Sequence, residues 1–158
     1  DPTPEMYNEA PFLLCETKSS TSEAKNLVID FVELINSKPI WIEPNKHDEL
    51  ISLTSHLPHI LSSALVSIAM QKHEMDELLE LASGGFDGAT RLSRTSPNMI
   101  SDMYLTNYSN VKNLIKKLIK ELEKVILIED EELMLNYLSK TVDWRRVLAN
   151  KFGERKLN

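Results

Sequence analysis

Two histidines three residues apart, His56 and His59, flank Leu57-Pro58 in the stretch SHLPHILSSAL. The surrounding residues predict a helix over about 48–73 with a broad apolar face and a narrower stripe of serine and histidine. Pro58 has no amide hydrogen for the carbonyl of Thr54 and would displace that carbonyl, at a cost of about 3 kcal/mol. We therefore expect a kink that leaves a free backbone acceptor beside two imidazoles, which project side by side.

Three interpretations of this histidine stripe are open, because buried polar groups cost several kcal/mol unless they are partnered. The imidazoles could be satisfied core groups beside a structural kink. They could bind a metal, but a metal needs further ligands, for which only His47 and Asp48 are at hand. They could also form one wall of a pocket for an anionic or hydroxylated small molecule, with Ser55 as a further polar contact.

A glycine-arginine turn follows about thirty residues later, in ASGGFDGATRLSRTSPNM. Gly84 and Gly85 end the preceding helix and allow either a close backbone approach or a positive φ. Arg91, directly after Thr90, is suited to bidentate capture of a carboxylate or phosphate. The alternative is a surface arginine engaged in a salt bridge.

Residues 11–44 have a different character from the rest of the chain. PFLLCE and KPIWIEP read as short strands, and the segment between them has the periodicity of an amphipathic helix that opens with a capping box at Ser20 and Glu23. A strand-helix-strand order predicts a parallel βαβ unit. Two strands are not a stable sheet alone, so residues 1–45 are predicted to be the edge of a larger α/β domain. A small α+β domain is the alternative.

Residues 46–158 are predicted to be all-helical. Asp48 is the expected N-cap of the histidine helix, and EMDELLELAS forms a second helix before the glycines. The segment 96–128 repeats Ile, Leu or Val at helical spacing, and a final helix begins in EDEEL with acidic residues that suit the macrodipole. A long C-terminal helix pair needs a partner surface, and a second copy of the chain is the expected partner.

The bulk properties exclude several classes of function. A net charge of −6 over 158 residues argues against nucleic-acid binding. No apolar run reaches the length of a membrane span, and the N-terminus does not resemble a signal peptide. The single cysteine, Cys15, lies in an apolar run, where we expect it to pack as a small hydrophobe in a reducing, cytoplasmic setting. No G-x-G-x-x-G or Walker motif is present.

The two motifs together resemble the prephenate/arogenate dehydrogenases of tyrosine biosynthesis, over essentially the whole chain. These enzymes carry an H-D…S-H-L-P-H segment and then a Gly-Gly-Phe turn with Thr-Arg and Pro-x-Met. The matching residues are His47, Asp48, Ser55, His56, Leu57, Pro58, His59, Gly84, Gly85, Phe86, Thr90, Arg91, Ser96, Pro97 and Met99.

The chain departs from this family pattern at three positions. An aspartate of the family falls on Gly88, an alanine on Ser93 and a tryptophan on Ile100. The first departure would weaken the orientation of the substrate-binding arginine, and the third would alter the dimer-side wall of the pocket.

The resemblance implies a mainly α chain, in which a C-terminal helical dimerisation domain follows the βαβ remnant of a Rossmann-type domain. It implies NAD(P)-dependent oxidative decarboxylation of prephenate to 4-hydroxyphenylpyruvate by a homodimer, with Arg91, His56, His59, Ser55 and Gly84 at the substrate and His47, Asp48 and Thr90 supporting them. The base and the cofactor fingerprint of the family lie upstream, so this portion is expected to be inactive alone. The alternatives are an arogenate dehydrogenase and a non-enzymatic dimerisation module that senses an end product.

Overall fold

Two short strands lie parallel at the start of the chain. The structure is a computed structural model and describes residues 3–72 and 80–152. β1 (Pro11–Leu14) pairs with β2 (Lys38–Trp41), with Pro11 opposite Lys38 and Leu14 opposite Trp41. Helix α1 (Ser22–Leu34) connects them, after a 3₁₀ turn at Pro4–Tyr7. This is the predicted βαβ arrangement, followed by helices only in the rest of the described chain, so the mainly α fold class is confirmed.

The chain divides into two compact units, Asp1–Thr54 and Ser55–Asn158. In the first unit Leu14 and Val32 are buried, whereas most of the apolar stripe of α1 is exposed, including Leu27 and Phe31. Cys15 is also exposed, so the expectation that it packs as a core residue is wrong.

Helix α1 begins one residue later than the capping-box spacing predicts. The N-cap is Thr21, whose Oγ1 accepts from the amide of Ala24 at 3.2 Å. Ser20 is not the cap because its Oγ instead accepts from the amide of Thr17 at 3.0 Å. A hydroxyl engaged in the preceding turn leaves the adjacent threonine to satisfy the first amides of the helix.

The next helix begins before the predicted N-cap. The N-cap of helix α2 (Pro44–Ile51) is Glu43, whose carboxylate accepts a hydrogen bond from the amide of Lys46 at 2.9 Å. Pro44 occupies the first helical turn, where its missing amide has no cost. The prediction of Asp48 as N-cap is therefore wrong, and this residue lies inside the helix.

A π-helical turn, Ser52–His56, precedes helix α3 (Leu57–Lys72). Pro58 is thus the second residue of α3, directly after a widened turn. A widened turn accommodates a residue that cannot donate its amide and whose ring would otherwise strike the carbonyl four residues earlier. The predicted disturbance is present, in the form of this π turn.

By length and composition alone the stretch Pro44–Gln71 could also cross a membrane, which the sequence did not lead us to expect. The core helices of many water-soluble proteins pass the same test.

The second unit continues with four helices in its described part. They are α4 (Gly84–Thr90), α5 (Pro97–Thr106), α6 (Tyr108–Ile126) and α7 (Glu131–Phe152), with a 3₁₀ turn at Arg91–Arg94. Helix α3 packs against α4, the 3₁₀ turn and α6, and Val111 of α6 is fully buried. Most of the predicted helix EMDELLELAS lies outside the described residues.

Candidate functional site

The glycine-arginine turn packs directly on the histidine helix. Helix α3 contacts both α4 and the 3₁₀ turn Arg91–Arg94. One part-buried hydrogen bond joins the two elements: the Oγ of Ser62, only 2% exposed, accepts from the amide of Ser93 at 3.1 Å. A buried amide that loses its partner is costly, so this bond sets the position of the turn on the helix.

His59 is half-buried on α3 and its ring is held within the helix. Its Nδ1 lies 2.9 Å from the carbonyl oxygen of Ser55, one turn earlier. The hydroxyl of Ser63 donates to the carbonyl of His59 at 3.0 Å. His56, the last residue of the π turn, is also half-buried, with its Nδ1 shielded from solvent. The contact of Ser55 with the His59 ring is made by its backbone carbonyl.

Hydroxyl groups rather than ion pairs stiffen the arginine turn. The Oγ1 of Thr90 donates to the carbonyl of Phe86 at 2.7 Å, and the Oγ of Ser93 donates to the carbonyl of Thr90 at 2.7 Å. Arg91 is exposed, and no carboxylate in the described ranges 3–72 and 80–152 forms an ion pair with it. The salt-bridge interpretation of Arg91 thus finds no partner among these residues.

The glycines of the turn do not act as the sequence suggested. Gly84 and Gly85 are the first residues of α4, with Ser83 as the N-cap. Neither has a positive φ, and a Cβ placed on either would meet no atom within 4 Å. Both predicted reasons for glycine, close backbone approach and left-handed geometry, are therefore wrong within this chain.

A cleft of about 350 Å³ opens beside these elements in the second unit. This volume is at the lower end of the range of small-molecule sites, about 300–1,000 Å³. His59 lies one helical turn before Ser63, which lines the cleft, and therefore on the same side of α3. Aliphatic and hydroxyl side chains line the cleft: Ile60, Ser63, Ser93, Thr95, Pro97, Ile100, Ser101 and Tyr104.

None of the sequence-predicted binding residues lines this cleft. Ile100, the position that departs from the family tryptophan, does. Tyr104 and Ser101 are residues that the sequence analysis missed, because an exposed helix with one tyrosine carries no distinctive pattern. Ser62 and Ser63 were visible only as members of the polar stripe on α3, without a role.

His47 and Asp48 belong to the first unit. The Nδ1 of His47 lies 3.0 Å from an Oδ1 of Asp48 on helix α2. Across the part of the chain that the structure describes, no group of three or more His, Cys, Asp or Glu side chains is arranged to hold a metal ion.

Comparison with known proteins identifies relatives over almost the whole chain. Residues 43–140 match the family model described as "Prephenate dehydrogenase, dimerization domain". The chain is 27% identical over 147 residues to a prephenate dehydrogenase of Bacillus subtilis, which covers 89% of this chain and 39% of that protein. It is 24% identical over 149 residues to a cyclohexadienyl dehydrogenase of Zymomonas mobilis, covering 91% and 51%.

A solved structure has the same fold. The crystal structure of a prephenate dehydrogenase from A. aeolicus, in complex with hydroxyphenyl propionate and NAD+, superposes with a TM-score of 0.83 at 28% identity. The match covers 91% of this chain and 52% of that one. The chain thus spans about half the length, or less, of the relatives that it matches.

Proposed function

The chain belongs to the prephenate dehydrogenase family, and from this premise we propose that it is the dimerisation and substrate-binding portion of an enzyme that converts prephenate to 4-hydroxyphenylpyruvate. One observation carries the substrate-binding role. Arg91 is an exposed guanidinium without an ion-pair partner among the described residues, on a turn that a part-buried hydrogen bond joins to the histidine helix.

The substrate determines what the site must supply. Prephenate is a dianion with a keto group, so its recognition needs cations and hydrogen-bond donors. Arg91 would bind a carboxylate through its paired N–H groups. His56 and His59 would donate to carboxylate or keto oxygens, and the hydroxyls of the adjacent cleft would contact the ring side of the ligand.

NAD+ or NADP+ would supply the hydride acceptor in the complete enzyme. The residues of this chain do not fit its pyrophosphate, because the loops that follow β1 and β2 contain no glycine and offer no phosphate cradle of the G-x-G-x-x-G kind. The cofactor would therefore be held mainly by other parts of a longer protein. The roles of the present residues are to bind and orient the acid groups of the substrate.

The dimerisation role is supported by the unsatisfied apolar surface of the chain. Helix α7 makes no extensive contact with another described element. Its exposed apolar residues are Leu133, Leu135, Leu138, Val142, Trp144, Val147 and Leu148.

Calorimetry with the 158-residue chain tests the substrate-binding role. Prephenate, arogenate and tyrosine are titrated into the wild type, Arg91→Ala and the control Arg94→Ala, which removes an equally exposed arginine from the same turn. Because hydrogen bonds to charged groups contribute about 1.5–3 kcal/mol, Arg91→Ala should weaken prephenate binding about 10- to 100-fold, with little change in Arg94→Ala.

Two results would contradict the proposal. Binding of tyrosine alone, unaffected by Arg91→Ala, would instead support a module that senses an end product. NAD(P)H formation by the isolated chain with prephenate and NAD+ or NADP+ would show that the hydride acceptor site lies within these residues.

A further inference from the structure

The hydrogen bond between His59 and Ser55 determines which ring nitrogen carries the proton. A backbone carbonyl can only accept a hydrogen bond. The Nδ1 of His59, 2.9 Å from the carbonyl oxygen of Ser55, must therefore be the protonated nitrogen. In the neutral ring this leaves Nε2 with a lone pair and no hydrogen.

The local fold keeps this tautomer in place. The bond lies within one helical turn and joins residues at i and i−4, so it does not depend on a ligand or on another element. The carbonyl of Ser55 has two lone pairs and can accept from the ring in addition to a backbone amide. The ring is half-buried, which limits the positions open to it.

A neutral His59 cannot donate to a ligand through Nε2. The keto and carboxylate oxygens of a keto dicarboxylate are acceptors only, so a neutral ring would set a lone pair against a lone pair. An ammonium group, by contrast, can donate to Nε2 directly. His59 therefore distinguishes an acceptor from a donor through its own protonation state.

We propose that a keto dicarboxylate binds at His59 only together with one proton, which Nε2 takes up, whereas the corresponding amino acid binds without proton uptake. This inference rests on the proposed function, since it assumes that His59 contacts the ligand. It makes His59 a residue that selects between two ligand classes according to pH.

Other charged and titratable groups lie on the elements that pack against α3. They are Asp87 on α4, Arg91 and Arg94 on the 3₁₀ turn, His56 in the preceding turn, and on α6 Tyr108, Lys112, Lys116, Lys117, Lys120, Glu121, Glu123 and Lys124. Within the described ranges, no hydrogen bond or ion pair joins the His59 ring to the groups on α4, the 3₁₀ turn or α6. His56 is the group most easily confused with His59 in a proton count and needs its own control.

The tautomer can be measured directly by long-range ¹H–¹⁵N NMR on the free 158-residue chain. The spectrum of His59 should show the pattern of a ring protonated at Nδ1. A ring protonated at Nε2 in the free chain would overturn the inference before any ligand is added.

Proton uptake is then counted by calorimetry at about pH 8, where imidazoles are mostly neutral, in buffers of different ionisation enthalpy. Prephenate should take up close to one proton and arogenate close to none, and prephenate affinity should fall about tenfold per pH unit, as a one-proton linkage requires. His59→Gln, whose amide donates without titrating, should bind prephenate without proton uptake, and His56→Gln should retain the uptake.

Each failure has its own meaning. Tight prephenate binding without proton uptake by the wild type, or uptake that persists in His59→Gln, would overturn the coupling and leave the proposed function intact. Absence of binding of both ligands would overturn the proposed function and the coupling together.

Discussion

Ser62→Ala tests whether the hydrogen bond between Ser93 and Ser62 stabilises the second unit and holds the arginine turn on α3. The Oγ of Ser62 is buried and accepts the amide of Ser93 across 31 residues of sequence. Alanine removes the acceptor and leaves the part-buried backbone N–H of Ser93 without this partner. An unsatisfied buried donor costs about 1–3 kcal/mol.

The expected size of the effect is large enough to measure by thermal unfolding at a fixed chain concentration. One kcal/mol shifts Tm by about 4–8 °C in a domain of 60–100 residues, so a fall of at least about 4 °C is expected. Ser67→Ala is the matched control, because Ser67 is exposed on the same helix. That change should raise stability slightly, by up to about 0.5 kcal/mol, since alanine is the better helix former.

Ser62→Ala should also weaken prephenate binding, because the turn that carries Arg91 loses its attachment to α3. The reasoning is refuted if Ser62→Ala and Ser67→Ala unfold at the same temperature, since the part-buried bond would then contribute nothing. A variant that is less stable but binds prephenate with wild-type affinity would show that the turn is held by other contacts.

Two further predictions concern the first helix and the last. The pKa of Glu23 lies below its ordinary value because its carboxylate accepts hydrogen bonds, first from its own backbone amide and then from the Thr21 hydroxyl. Thr21→Ala should therefore raise this pKa, which NMR titration of Glu23 measures. Because the folded pKa is lowered, the associated stabilisation is complete at neutral pH and is lost as pH falls through that pKa. If the chain self-associates as proposed, Leu138→Lys should reduce that association in analytical ultracentrifugation, because it places a charge beside the exposed Leu135 and Val142 of α7. Asn136→Lys, which lies on the opposite side of the helix from Leu138, should not. Equal behaviour of the two variants would argue against this side of α7 as the interface.

The helices and strands could be predicted from periodicity, but their starting residues could not. Apolar spacing is a property of many residues together, so the βαβ unit and the long helices survive local errors. A cap depends on one side chain and its competitors. Ser20 fits a capping box, but its hydroxyl instead accepts a hydrogen bond from the amide of Thr17. Asp48 is preceded by Glu43 and Pro44, which start the helix earlier.

Residue types single out candidate binding groups, whereas the packing that brings their elements together could not be predicted. His59 and Arg91 stand out because an apolar helix and a glycine-rich turn have no structural need of them. The contact between Ser62 and Ser93 has no such signature, because two serines 31 residues apart are common in any sequence. The cleft beside α5 depends on tertiary packing of aliphatic and hydroxyl residues whose types alone are uninformative.

The departures from the family pattern act on different properties of the site. Ile100 lines the cleft, so an aliphatic residue in place of a tryptophan changes the volume offered to a ligand and leaves the charges unchanged. Gly88 lies on exposed α4, where a Cβ would meet no atom within 4 Å, so the position has room for the family's aspartate and merely lacks its carboxylate. Arg91 is instead placed by the hydroxyl-to-backbone bonds of Thr90 and Ser93. Because these bonds are neutral, they orient the turn without cancelling the positive charge that an acidic ligand requires.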